Sequence, residues 1–71
     1  MDRSEVKAVA KRLADCRRKR LLSQAEVAEA CGLSAGAIGN YEAGRNVPND
    51  DVKRTLAAFY ETTVGRLFFG E

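Results

Sequence analysis

The 71-residue sequence predicts an all-α fold of five short helices. Apolar residues recur at helical spacing from one end to the other, and no stretch alternates with the period of two that a strand requires. Capping residues stand before each apolar run, and glycines or polar turns follow most of them. Apolar residues at 45% and charged residues at 31% give a globular balance.

The first predicted helix runs from about Glu5 to Lys19, with Ser4 as its N-cap. Val6, Val9, Ala10, Leu13 and Ala14 make its apolar stripe. The second starts at Ser23, where Ser23-Gln24-Ala25-Glu26 has the spacing of a capping box. It turns Val27, Ala28 and Cys31 inward, and Gly32 supplies the left-handed residue that ends it. Ser34 caps a third helix over about Ala35–Ala43, with Ile38 and Tyr41 facing the core and Gly44 as its stop. After the loop Arg45-Asn46-Val47-Pro48, Asn49 caps a fourth helix whose first turn carries Asp50 and Asp51, suited to the positive end of the dipole. Val52, Leu56 and Phe59 form its buried stripe. Thr63 caps a fifth helix bearing Val64, Leu67 and Phe68. Phe69 cannot share the face of Phe68; it either marks a contact between two copies or folds back on the fourth helix.

The length suits one domain over residues 1–71, burying only about 60% of the surface of its unfolded chain. No apolar run approaches the ~18 residues of a membrane span. The charged N-terminus lacks the apolar core of a secretion signal, so the expected location is the cytoplasm. Cys16 and Cys31 lack metal-site spacing and fall inside predicted helices, where reduced thiols are the default. With no histidine, no metal site, cofactor or small-molecule ligand is expected. Net charge is only +2, yet six of the twelve basic residues and one of the ten acidic residues lie between Lys11 and Arg20. That block suits a phosphate-binding face. It equally suits a solvated helix end whose cations complement the dipole.

The functional signal lies in Gln24–Glu42. Two helices are joined here by about three residues around a glycine, the pattern of a helix-turn-helix. Val27, Cys31, Leu33, Ile38 and Tyr41 are the apolar anchors. Ala28 is small where the third helix must approach, and Gly32 takes a positive φ. Together with the basic end of the first helix, Leu22-Ser23-Gln24, Gly32-Leu33-Ser34, Tyr41-Glu42-Ala43-Gly44, Pro48 and Leu67-Phe68-Phe69-Gly70, these residues resemble the phage-repressor and Cro type of helix-turn-helix domain, a five-helix lambda-repressor-like bundle. The resemblance covers about Val6 to Phe69.

The resemblance implies a regulator that binds double-stranded DNA with its third helix in the major groove. It places Gln24 on a phosphate, Ser34, Ala35, Gly36, Gly39 and Asn40 toward base edges, and Arg45 and Asn46 on the backbone. Arg17 and Glu42 match a pair that forms an internal salt bridge in some relatives. Arg20 joins the phosphate contacts on its position in the basic block. One departure stands out: Ala35 offers only a methyl group, Gly36 and Gly39 offer no side chain, and Asn40 alone can pair with adenine through two hydrogen bonds. Either the glycines let the helix sit deep, with affinity drawn from phosphates and DNA shape, or the surface has ceased to read DNA. The expected function is a transcriptional regulator acting as a homodimer, with Phe69 as a candidate contact. The alternative is a protein-interaction module of the same fold, such as an antitoxin or accessory subunit. An enzyme is not expected, because a nucleophilic serine here lacks a histidine partner.

Overall fold

A computed structural model describes residues 1–71 as five helices and no strands: α1 (Arg3–Lys19), α2 (Gln24–Cys31), α3 (Ala35–Glu42), α4 (Asp50–Phe59) and α5 (Val64–Phe69). The all-α expectation therefore holds. Ser23, Ser34, Asn49 and Thr63 each accept a hydrogen bond from the third backbone amide beyond them, as capping requires. One cap differs. α1 begins two residues earlier than expected, capped by Asp2 instead of Ser4. Asp2 Oδ1 accepts from the Glu5 amide at 2.9 Å, and the Glu5 carboxylate reaches back to the Asp2 amide at 3.5 Å. Ser4 is followed three residues later by Lys7, which has no acceptor with which to close such a box. α3 stops at Glu42, one residue short of the expected end, with Ala43 as its cap.

The ends of the helices repeat one solution. At Gly32 and Gly44 the chain turns with φ of +69° and +74°, and the next amide bonds back across the last turn, Leu33 to Ala28 and Arg45 to Asn40. α1 and α4 close in the same way without a glycine. Leu21 and Glu61 take φ of 58° and 55°, while the amides of Leu22 and Thr62 bond to the carbonyls of Arg17 and Ala57. For a residue with a Cβ that conformation costs roughly 1–2 kcal/mol.

Val9, Leu13, Val27, Ala28, Ile38, Leu56, Ala57, Tyr60, Leu67 and Phe68 form one buried cluster fed by all five helices. Cys16, Leu33, Tyr41, Val52, Phe59 and Val64 flank it half-buried. Both cysteines are free thiols, and burial pushes the Cys31 thiol upward from its ordinary range. α1 is the longest element and packs against both α3 and α5. Arg12 links the two ends of the chain: its Nε donates to the Leu67 carbonyl at 2.8 Å. α2 and α3 pack closely on one another, and α1 closes over the inner side of α3.

Candidate nucleic-acid interface

The caps that start α2 and α3 also leave donors behind. Ser23 and Ser34 take the amides of Glu26 and Ala37, and their own carbonyls take those of Val27 and Ile38. The amides of Gln24, Ala25, Ala35 and Gly36 then have no acceptor within the protein. Such N–H groups at a helix start, reinforced by the dipole, suit an anionic oxygen.

α3 is held by one side and open on the other. Ile38 is 3% exposed and anchors it, with Tyr41 half-buried alongside. Ser34, Ala35 and Gly36 lie exposed, and Gly39 and Asn40 are half-buried. A Cβ added at Gly36 would come no nearer to a neighbour than 3.9 Å, from Ser34 Oγ. One added at Gly39 would lie 3.3 Å from Gln24 Oε1. The Gln24 side chain thus lies across Gly39, and a methyl there would have to push it aside by a few tenths of an ångström.

Gln24 is fixed in that place by a charged support. Its Nε2 donates to Glu42 Oε1 at 3.2 Å. Glu42 is gripped by Arg17 through two parallel bonds, Nε to Oε2 at 2.7 Å and Nη2 to Oε1 at 2.8 Å. Arg17 Nη1 donates to the Leu22 carbonyl at 2.9 Å, tying in the loop before α2. The Arg17 and Glu42 side chains are 13% and 7% exposed. The expected salt bridge is present, and it is bidentate and nearly buried, the strong form of such a pair. The bond to Glu42 holds the Arg17 guanidinium charge more firmly than usual, against the opposing effect of burial. Glu42 lies in the last turn of α3, where the helix dipole disfavours an anion, so Arg17 offsets that as well. One Gln24 amide proton is committed to Glu42, which leaves the second free to donate outward.

The remaining expected residues divide. Arg45 and Asn46 lie exposed just past α3, and Arg45 Nη1 donates to Asn40 Oδ1 at 3.1 Å. The only side-chain amide on α3 therefore shares its oxygen with the neighbouring cation. Arg20 is turned elsewhere. Its Nη1 donates to the Phe59 carbonyl at 3.2 Å, its guanidinium carbon is 5.8 Å from the centroids of both the Phe59 and Tyr60 rings, and Glu61 is 3.8 Å from it. These contacts make it a cap for the end of α4. Sequence reasoning missed the Gln24–Glu42 and Asn40–Arg45 links. The Gln24–Glu42 link spans 18 residues and exists only in the packed α2–α3 unit, and the Asn40–Arg45 link depends on the turn at Gly44 between them.

No group of three or more histidine, cysteine, aspartate or glutamate side chains is arranged to hold a metal ion, and no helix is long and apolar enough to cross a membrane. Comparison with curated proteins and with solved structures gives no match. The helix-turn-helix domain family matches residues 8–67, which takes in the α2–α3 unit, its support from α1 and all of the core cluster but Phe68. The chain belongs to that helix-turn-helix family, whose general work is binding DNA in regulation.

Proposed function

We propose that the protein is a repressor- or Cro-like transcriptional regulator that acts in the cytoplasm, laying α3 in the major groove and pairing two copies on a pseudo-palindromic site. The carrying observation is the outward face of α3 beside four uncommitted amides and a Gln24 amide braced by Glu42 and Arg17. In this reading Gln24 and the α2 amides hold a phosphate. Arg45 and Asn46 hold the next stretch of backbone, and Ser34, Ala35, Gly36 and Asn40 face the bases. Affinity rests mainly on phosphates, because α3 carries so few donors. Arg20 contributes through the α4 end and not through DNA. The role is one of binding: the sequence has no histidine, and the hydroxyls of Ser23 and Ser34 are engaged as caps.

Fluorescence anisotropy with candidate operators across a salt series tests this. The expected result is a linear fall of log affinity with log salt at about −0.9 per phosphate contacted. Gln24→Ala should weaken all sequences alike, whereas Asn40→Ala should lose about 1–3 kcal/mol of discrimination at one base. Half-sites should lie about 34–36 Å apart. Absence of binding at low salt would remove the reading. The bareness of Ala35 and Gly36 and the sharing of Asn40 with Arg45 favour, as second reading, an antitoxin-like or accessory interaction module. It would be distinguished by a stoichiometric protein partner whose capture does not change in Gln24→Ala.

A further inference from the structure

Leu21 is 91% exposed, the most open of the large apolar residues, and it stands at the tip between α1 and α2 with a φ of 58°. Glycine would hold that backbone without strain, yet the position carries a leucine in water. Beside the tip lies a shallow open groove lined by Leu22, Ala30 and Phe59 together with Glu26 and Glu29. Neither carboxylate has a cationic partner in the protein. Hydrogen bonds from the Ser23 amide and hydroxyl hold the Glu26 carboxyl below its usual range, so it is charged at neutral pH. Arg18 and Lys19, exposed just before the tip, likewise have no carboxylate partner. Arg20 lies over Phe59 at one edge of the groove and is paired with Glu61, so the unpaired charges there are the anions Glu26 and Glu29, while the unpaired cations Arg18 and Lys19 precede the apolar tip in the chain.

We propose that this patch is self-complementary and pairs two copies of the chain: Leu21 of each enters the Leu22–Phe59 groove of the other, and Arg18 and Lys19 lie against the other copy's Glu26 and Glu29. A twofold interface requires knob and hole on the same surface, since each residue meets its counterpart's partner. The groove contains no residue of α3. Phe69, the other candidate for this contact, is 55% exposed and lies outside the groove, with the Lys53 ammonium 5.5 Å from its ring centroid.

Sedimentation equilibrium of the full chain, without DNA, tests the proposal independently of the regulatory reading. The expected result is a dimer that weakens with salt and whose dissociation constant rises at least about a hundredfold in Leu21→Gly, as for loss of two buried leucine side chains, one from each copy. Leu21→Gly relieves the backbone, so circular dichroism should show it folded and melting no lower than the parent. Glu29→Arg should also weaken the dimer, and adding Arg18→Glu should restore it. A chain that stays monomeric up to millimolar concentration overturns the proposal. So does a dimer indifferent to Leu21→Gly and lost in Phe69→Ala.

Discussion

Glu42 carries three hydrogen bonds with two oxygens, and each partner belongs to a different part of the molecule's work. Arg17 brings the end of α1, and through the Leu22 carbonyl the following loop; Gln24 brings the start of α2. Removing one member leaves the other charge buried with no counter-ion. Arg17→Ala or Glu42→Ala should therefore lower unfolding free energy by about 3–5 kcal/mol in urea titrations. The paired replacement Arg17→Met with Glu42→Leu should recover most of that loss, because the desolvation cost of both ions disappears with them. Gln24 would then lack its brace, so the double variant should fold yet bind DNA less well. Arg17→Lys should behave as a loss, since an ammonium cannot make the two parallel bonds. This pair was legible only through the family resemblance. The positions are 25 residues apart, and charge pattern alone offers Arg17 many other partners.

At the level of helices, what could be read depended on which residue filled each special position. Ser23, Ser34, Asn49 and Thr63 announce their caps because their short side chains reach a backbone amide and little else there. Gly32 and Gly44 announce their turns because few residues tolerate a positive φ. Leu21 and Glu61 perform the same turn unannounced, since nothing in a leucine or glutamate signals it. Asp2 and Ser4 both offer a cap ahead of the apolar period that begins at Val6, and only Asp2 has a glutamate three residues on, Glu5, to close the box. The bare outer face of α3 was legible, but its cause was not. Gly39 accommodates the Gln24 side chain, whereas Gly36 faces open space. That difference separates two effects of a methyl group. Gly36→Ala should raise stability by about 0.5–1 kcal/mol through helix propensity. In a domain this small that corresponds to roughly 4–8 °C per kcal/mol in a thermal melt. The same methyl would stand between α3 and the groove floor, so DNA affinity should fall while the melting temperature rises. A gain in both would mean that α3 does not approach the bases closely.

For the molecule as a whole, the core is small and one polar group sits inside it. Tyr60 is 7% exposed, and burial, aided by the negative charge of Glu42, pushes its phenol up to about 12 from an ordinary 10. Folded protein thus keeps a proton that the unfolded chain releases. The stability tied to that proton is fully present below pH of about 10 and is lost as pH rises toward about 12. Chemical denaturation over that range should show a steeper decline for the parent than for Tyr60→Phe, the difference reaching at most about 3 kcal/mol. Parallel curves would place the phenol in water. The arrangement that makes Tyr60 central also sets the order of assembly. Leu67 and Phe68, 2% and 1% exposed, complete the cluster, and Arg12 grips the chain at the Leu67 carbonyl. On a ribosome Leu67 and Phe68, which close the hydrophobic centre, emerge after α2 and α3, which must wait unsupported for them. A nascent chain halted before Val64 would show α2 and α3 as protease-sensitive segments, and extension through α5 would turn them resistant at one stroke.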